Sequence, residues 1–306
     1  MRMLLDSAGL YFRAFHAIPE SVTAPDGTPV NAVRGFLDMI AALVAARRPS
    51  HLVACWDDDW RPAWRVDLLP SYKAHRVAGD GGEDEPESLA VQVGIIVELL
   101  EAFGIARVGA AEHEADDVLG TLARRHGARG EAVEVVTGDR DLIQLVDDGP
   151  PVRVLYIGRG IRRLEVLDEA AVRTTYGVSP QQYVDLAILR GDPSDGLPGI
   201  PGVGARTAAG LVERFGTLAA LRAAVVAGDA GIRAGIASAL RTNDDYLARA
   251  ERVVRVAEVA LPEVPAGLPA QPIDEAGLAE LVERWGVGAP VDRLRGAMAQ
   301  AAVARA

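Results

Sequence analysis

Nine acidic residues stand where their carboxylates could share a cation site: Asp6, Asp57, Glu114, Asp116, Asp117, Asp139, Asp141, Asp192 and Asp195. Three of them follow short apolar runs that are typical of buried strands. The run "MRMLL" precedes Asp6, "HLVACW" precedes Asp57 and "AVEVVTG" precedes Asp139. Because parallel strands end along one edge of a sheet, where ligands bind, we expect the nine carboxylates to converge on one crevice.

Carboxylates crowded into one crevice repel each other, and without cations several of them would take up protons. Carboxylate oxygens are hard ligands that favour Mg²⁺ or Mn²⁺ over zinc. Two such ions about 4 Å apart are a common means of cleaving a phosphodiester bond. Each acid taken alone also suits a helix cap or a solvated turn, so the prediction of a metal site depends on the joint pattern.

A glycine-rich stretch, "GIPGVGARTAAGLVERFG", places Gly199, Gly202 and Gly204 before a predicted helix. A nucleotide-binding P-loop would need a Lys-Ser/Thr pair after its last glycine, and a dinucleotide-binding loop would directly follow a strand. The sequence has neither arrangement here. We predict a helical hairpin whose backbone amides approach a DNA phosphate, with added contacts from Arg206 and Thr207. An ordinary glycine-rich connection between helices is the alternative.

A basic segment, "RVDLLPSYKAHR", contributes Arg65, Tyr72, Lys73, His75 and Arg76, and a strongly acidic stretch, "GDGGEDEPE", follows it. A basic segment with an aromatic residue beside an acidic metal site suits the end of a single nucleic-acid strand. A solvated surface loop is the alternative explanation. It is weaker for Tyr72, Lys73 and Arg76 together than for any one of them.

The distribution of strand and helix signals predicts two regions. Residues 1–180 show apolar strand-like runs alternating with amphipathic helices, which indicates an α/β fold with a mainly parallel central sheet flanked by helices. A β-hairpin is expected around Gly158 and Gly160. Residues 181–290 lack strand signals and are predicted to be all-helical, and the tail 291–306 is expected to fray.

The composition excludes some classes of protein. Of 306 residues, 49% are hydrophobic, yet no apolar stretch reaches the length of a membrane span, and Cys55 has no cysteine to pair with. We therefore expect a soluble, monomeric, cytoplasmic protein without a membrane partner. The net charge of −11 argues against nucleic acid as a partner, but without the nine acids it would be −2.

Several stretches together resemble one known family. They are "LLDSAGLYFRAFHA", "WDDD", "SYKAHR", "EADD", "TGDRDLIQL" and "GDPSDGLPGIPGVGARTA", and they follow one another over nearly the whole chain. The chain resembles the 5′–3′ exonuclease and flap endonuclease family, typified by the N-terminal domain of bacterial DNA polymerase I and by phage flap endonucleases. The resemblance implies a PIN-like nuclease core, a helical arch at about 72–92 and a helix-two-turn-helix region that binds DNA.

The resemblance also implies roles for individual residues. The first metal site would comprise Asp6, Asp57, Glu114, Asp116 and Asp139, and the second Asp117, Asp141, Asp192 and Asp195. Lys73, Arg76 and Asp139 would carry catalysis, the first two by steering the scissile phosphate. Arg13 would lie near the active site, and loop 199–204 would hold K⁺ through backbone carbonyls. The acidic composition of residues 80–87 implies a weaker grip of the arch on a single strand.

These expectations combine into a stand-alone, nucleoid-associated 5′ nuclease that acts in DNA replication and repair. Its substrates would be DNA with a 5′ flap, overhang or nick, and RNA primers in RNA–DNA hybrids. Hydrolysis would use two divalent metal ions. A PIN-like ribonuclease, which does not need the C-terminal hairpin, and a DNA-structure-binding protein with a silent site are the alternatives.

Overall fold

The computed structural model describes residues 1–79, 81–264 and 267–304. Its centre is a seven-stranded sheet in the order β3-β2-β1-β4-β6-β5, with β7 paired to β6. The strands are β1 (Arg2–Asp6), β2 (His51–Cys55), β3 (Ala106–Val108), β4 (Val133–Thr137), β5 (Asp147–Asp148), β6 (Pro151–Tyr156) and β7 (Glu165–Leu167). The pairs β1–β2, β1–β4, β2–β3 and β4–β6 are parallel, whereas β5 and β7 run antiparallel to β6. The expected mainly parallel sheet and the β6–β7 hairpin are confirmed.

Thirteen α-helices surround and extend this sheet in the described residues. They are α1 (Ser7–Ala17), α2 (Asn31–Arg47), α3 (Ala63–Leu68), α4 (Glu87–Phe103), α5 (Ala115–Gly127), α6 (Glu169–Tyr176), α7 (Tyr183–Arg190), α8 (Ala205–Phe215), α9 (Leu218–Ala227), α10 (Ala234–Thr242), α11 (Asp244–Val254), α12 (Glu275–Trp285) and α13 (Gly288–Val303). None of them is long and apolar enough to cross a lipid bilayer.

The sheet separates two hydrophobic cores because successive side chains of a strand point to opposite faces. In β1, Leu4 belongs to the core that packs against α5 and α7–α11, whereas Met3 and Leu5 belong to the core under α1, α2, α4, α12 and α13. Both faces of the central strands are therefore covered, which explains why their sequences are continuous apolar runs rather than alternating ones.

The C-terminal residues correct one expectation. The tail was expected to fray, but α13 buries Val291, Leu294 and Met298 in the second core. An ion pair between Arg293 and Asp38 of α2, 2.7 Å long, adds to this docking. The helical region thus returns to the α/β core instead of ending away from it. Only the last two residues of the expected tail, 305 and 306, lie outside the described residues.

The segment expected to form a helical arch is short in the structure. It consists of a single 3-10 turn (Ala74–Arg76), a loop held by a β-bridge between Val77 and Glu83, and the first turns of α4. No separate helix lies between residues 77 and 86 in the part of this loop that the structure describes, and Asp80 lies outside it. The glycines and acids of "GDGGEDEPE" disfavour a helix, since glycine loses more backbone freedom there than other residues.

Candidate active site

A cavity of about 970 Å³ opens at the carboxyl ends of the parallel strands. Its lining includes carboxylates that follow β1, β2 and β4, which are Asp6, Asp57 and Asp139, and Asp116 from the first turn of α5. Asp192, on the loop after α7, also lines it. The strand-end rule therefore applies to Asp6, Asp57 and Asp139, whereas Asp116 and Asp192 reach the cavity from a helix start and a loop.

Asp6 is fixed by the start of α1. It caps the helix by accepting a hydrogen bond from the Gly9 amide (2.9 Å), and its other oxygen accepts one from Thr137 Oγ1 (2.7 Å). A Cβ at position 9 would lie 2.5 Å from Asp6 Oδ2, so glycine leaves room for the carboxylate. Burial raises the pKa of Asp6, and the charge of Asp139 adds to the effect. Thr137, at the end of β4, was not predicted, because nothing in the sequence singles out its hydroxyl.

Asp57 connects β2 to α5. Its Oδ1 accepts a hydrogen bond of 2.8 Å from the Ala115 amide, one of the unpaired donors at the start of that helix. Burial raises the pKa of Asp57 to about 7, although the Lys73 ammonium opposes the rise. This carboxylate therefore holds its negative charge at a considerable energetic cost near neutral pH.

The carboxylates of Asp116 and Asp139 are buried, and their negative charges repel each other. Burial, followed by the charge of Asp139, raises the pKa of Asp116 well above its ordinary value. Burial also raises the pKa of Asp139 to about 6, with a contribution from Asp195. Asp139 Oδ1 accepts the Asp141 amide at 2.8 Å, whereas no donor in the described part of the chain bonds the Asp116 carboxylate.

A buried ionic cluster, formed by Arg65, Tyr72, Lys73, Glu114 and Asp117, lies directly beside these carboxylates. Glu114 Oε1 accepts from Arg65 Nη1 (2.9 Å) and from the Tyr72 hydroxyl (2.8 Å), and Glu114 Oε2 pairs with Lys73 Nζ. Both oxygens of Glu114 are therefore engaged by protein donors. Glu114 and Lys73 still line the cavity, so the cluster forms one of its walls.

Two expectations do not agree with this cluster. Asp117 was expected to bind the second metal ion, but it does not line the cavity and is fully buried against both terminal nitrogens of Arg65 (2.7 and 2.9 Å). The Ala257 amide donates a further 2.7 Å bond to Asp117 Oδ1. Tyr72 was expected to contact DNA, but its ring is buried in the core. The reason in each case is a long-range partner that local sequence does not reveal.

Of the remaining predicted acids, Asp192 lines the cavity, whereas Asp141 and Asp195 do not. Asp192 accepts bonds from the Ser194 amide (3.0 Å) and from Arg190 (3.2 Å). Asp141 and Asp195 are buried next to each other, behind the lining, and each has an Oδ1 without a hydrogen-bond partner among the described residues. Burial, with repulsion from Asp139 and Asp195, raises the pKa of Asp141 well above its ordinary value.

Three basic side chains face this concentration of negative charge. Arg13 lines the cavity with a buried Nε that lacks a partner in the described structure, and its Nη2 makes only a 3.4 Å contact with the Gly158 carbonyl. Arg76 is more exposed and lies 3.6 Å from Asp195. Burial disfavours the Lys73 ammonium, but the surrounding anionic groups outweigh this and raise its pKa. Positive charge is therefore available at several points of the cavity lining.

Two further acids line the cavity without having been predicted, Glu83 and Asp84 of the shortened arch. Burial, followed by the charge of Glu85, raises the pKa of Glu83. The only signal in the sequence was the general acidity of this segment. Their positions place additional negative charge beside Arg76.

The glycine-rich turn lies between α7 and α8. Gly199 and Gly202 have left-handed backbones, with φ of +68° and +78°. A Cβ at Gly199 would lie 2.6 Å from the Arg190 carbonyl, so this glycine serves internal packing, whereas Gly202 and Gly204 have open space around them. Gly204 is the N-cap of α8, and Arg206 and Thr207 follow in its first turn. The turn therefore presents a helix N-terminus to solvent, as an anion site requires.

The donor set of the cavity suits hard divalent cations. Asp6, Asp57, Asp116 and Asp139 offer carboxylate oxygens. Burial, with added repulsion between acids, raises their pKa values, and a bound cation would offset both effects. Within residues 1–79, 81–264 and 267–304, no three His, Cys, Asp or Glu side chains are already close enough together to hold a metal ion. The side chains therefore fit such an ion in their chemistry.

Comparison with known proteins gives a consistent result over nearly the whole chain. Residues 1–177 match the family profile "5′-3′ exonuclease, N-terminal resolvase-like domain", and residues 178–276 match "5′-3′ exonuclease, C-terminal SAM fold". A 5′-3′ exonuclease of Streptomyces coelicolor is 55% identical, covering 95% of this chain and 98% of that protein. A 5′-3′ exonuclease of Mycobacterium tuberculosis is 48% identical, covering 97% of each.

A solved structure shows the same fold. The bacteriophage T5 D15 flap endonuclease, crystallised as a complex with DNA and metal ions, aligns with a TM-score of 0.64 over 99% of each chain. Its sequence identity with this chain is 15%. At this sequence identity, the similarity establishes a shared fold, that is, the same arrangement of the sheet and helices.

Proposed function

The chain belongs to the 5′–3′ exonuclease family, and on that premise we propose that it hydrolyses DNA at 5′ flaps, 5′ overhangs and nicks. We include RNA primers in RNA–DNA hybrids among its substrates, and replication and repair as its setting. The observation that carries the proposal is the cavity at the strand ends, which Asp6, Asp57, Asp116 and Asp139 line together with Arg13, Lys73 and Arg76.

We propose that the cavity carboxylates hold two Mg²⁺ or Mn²⁺ ions. Asp6, Asp57, Asp116 and Asp139 would hold the first, and Asp192 with the open oxygens of Asp141 and Asp195 would hold the second. When bound, such ions supply an activated water and stabilise the leaving oxygen of the phosphodiester. Glu114, which the resemblance assigned to the first ion, is not included, because Arg65, Tyr72 and Lys73 already use its oxygens. Asp117 is not included either, because Arg65 and a backbone amide use its oxygens.

The basic side chains would bind the substrate phosphate. Arg13 offers a buried Nε without a partner in the described structure, and Arg76 has a partly exposed guanidinium. Lys73 is held against Glu114 at the cavity wall, where its charge would oppose the negative charge that develops on the phosphate. These three residues would orient the scissile bond and stabilise its transition state, and Asp139 would be needed for the same step as a ligand.

The turn before α8 would bind the duplex part of the substrate. Gly202 and Gly204 let a phosphate approach the backbone amides at the helix start, and Arg206 and Thr207 extend from the same turn. A K⁺ ion held by carbonyls of loop 199–204 would strengthen that contact. We further propose that the protein acts as a monomer in the cytoplasm, associated with the nucleoid.

A flap assay tests the proposal. A DNA flap labelled at its 5′ end is incubated with the protein in Mg²⁺, in Mn²⁺ or in EDTA, alongside a nicked duplex and a flap with a 5′ RNA segment. We expect cleavage near the junction only with a divalent ion. Asp139→Asn should remove cleavage but leave flap binding intact. Absence of metal-dependent cleavage of every branched or overhanging DNA would contradict the proposal, and preferential cleavage of structured RNA would indicate a ribonuclease.

A further inference from the structure

Arg65 lies outside the cavity lining, yet it contacts a residue that forms the cavity wall. We propose that Arg65 is a positioning residue for the nuclease reaction. Its guanidinium fixes the Glu114 carboxylate, and Glu114 in turn fixes the Lys73 ammonium that faces the cavity. The inference rests on the proposed function of the cavity.

The guanidinium of Arg65 is fully used. Arg65 lies on α3 and is 2% exposed. Its Nε donates to the Val253 carbonyl (3.0 Å), its Nη1 to both Glu114 and Asp117 (2.9 Å each), and its Nη2 to Asp117 (2.7 Å). Three separate parts of the chain, α3, the start of α5 and the end of α11, are thereby joined at one side chain.

Glu114 transmits this restraint to the cavity. One of its oxygens is held by Arg65 and by the Tyr72 hydroxyl, which leaves the other facing Lys73 Nζ. Because the carboxylate is held from behind by two donors, its orientation toward Lys73 is fixed. Without Arg65 the carboxylate could rotate, and the position of the ammonium would follow it.

The cluster is balanced in charge as well as in geometry. Two buried carboxylates, Glu114 and Asp117, face two buried cations, Arg65 and Lys73. Asp117 completes the arrangement by accepting the Ala257 amide, so the chain just after α11 also closes over the guanidinium. A planar fork of donors can serve two carboxylates and a carbonyl at once, which a lysine ammonium cannot do in the same geometry.

The experiment must separate positioning from folding, since removal of Arg65 alone leaves two buried carboxylates with less compensation. The double variant Arg65→Met/Asp117→Asn removes the cation together with one of its anions and keeps Glu114. Arg65→Lys keeps the charge but not the fork. Arg47→Met is the matched control, because Arg47 forms a two-bond pair with Glu134 at a distance from the cavity.

For each variant, urea unfolding, flap binding in EDTA, and kcat and KM for flap cleavage in Mg²⁺ are measured. We expect the double variant to fold and bind the flap like the wild type, with kcat lowered at least tenfold and KM little changed. Arg65→Lys should lose less of kcat than the double variant, and Arg47→Met should lose stability only. A double variant, or an Arg65→Lys variant, with wild-type kcat overturns the inference. Absence of cleavage by the wild type would instead contradict the proposed function.

Discussion

Asp116 and Asp117 are consecutive residues of α5, yet their carboxylates lie in two different electrostatic environments. Asp116 lines the cavity with Asp6, Asp57 and Asp139, and no donor in the described residues bonds it. Asp117 lies in the buried ionic cluster, where Arg65 and the Ala257 amide use both of its oxygens. Residues next to each other on a helix point about 100° apart, which separates the two.

The difference between these regions lies in the source of the positive charge. In the buried ionic cluster the protein supplies its own cations, so the carboxylates are part of the folded structure. In the cavity, burial and then repulsion between the acids raise the pKa values of the carboxylates, and Lys73 only partly offsets this rise. Under the proposed function, divalent cations from solution would stabilise the cavity, and the folded protein would be less stable without them.

The same substitution at the two positions tests this comparison most directly. Asp116→Asn should abolish cleavage, with a loss greater than the roughly 10- to 100-fold typical of outer-shell groups, because the side chain is a proposed metal ligand. Its stability without metal should equal or exceed that of the wild type, since one repelling charge is removed. Flap cleavage and urea unfolding in EDTA provide the two measurements. An active Asp116→Asn variant would show that Asp116 is not a metal ligand and that the two aspartates do not differ in this way.

At the neighbouring position we expect a loss of stability instead. Asp117→Asn leaves the Arg65 guanidinium with one fewer anion in a buried site, where loss of a partner costs about 3 kcal/mol or more. Urea unfolding in EDTA measures the loss, and flap cleavage at a temperature where the variant is folded should fall far less than in Asp116→Asn. Unchanged stability would show that Asp117 is not a structural anion.

The third prediction concerns pH. Asp57 has a pKa of about 7 in the folded protein, raised mainly by burial, against an ordinary value of 3.8. Between these values the folded state binds more protons than the unfolded state, so this group makes the free energy of unfolding fall as pH rises. One pKa unit corresponds to about 1.4 kcal/mol. Without metal, Asp57→Asn should therefore exceed the wild type in stability at pH 8, and the gap should close toward pH 4.

Metal ions supply the control for that pH experiment. Addition of Mg²⁺ should stabilise the wild type more at pH 8 than at pH 5, because protons and metal ions compete for the same carboxylates. It should stabilise Asp57→Asn less than the wild type at pH 8. If the stability difference between Asp57→Asn and the wild type widened toward low pH, the folded protein would not disfavour the ionised form of Asp57.

The smallest effect is expected at Tyr72, at the border between the two regions. Tyr72→Phe removes the hydroxyl that donates to Glu114 and should cost about 1 kcal/mol of stability. Flap affinity in EDTA should not change, because the ring is buried in the core. Fluorescence anisotropy with a labelled flap measures the affinity. A marked loss of affinity would restore the earlier prediction that Tyr72 contacts DNA.

The fold was largely predictable because its signals are local. Continuous apolar runs specify strands that are buried on both faces, and each strand that ends in an acid places that acid at the sheet edge. Asp6, Asp57 and Asp139 were therefore located correctly beside the cavity. The turn before α8 was likewise visible in its glycines, two of which have positive φ.

Other features depend on residues far apart in the chain. The docking of α13 on α2 arises from packing that no local window contains. The basic segment also looked uniform, yet Arg65 and Tyr72 are buried while Arg76 faces the cavity. Local composition indicates the charge of a segment, but it does not indicate which of its side chains the rest of the protein buries.

By itself, the sequence determined the parallel sheet, the acids at its edge and the glycine turn, because backbone propensity and strand periodicity act over a few residues. Only the tertiary structure decided which of two adjacent aspartates belongs to the cavity. That outcome depends on Arg65, about 50 residues earlier, and on the amide of Ala257, 140 residues later. A carboxylate's role follows from the charges around it, and those charges are brought together only by the folded chain.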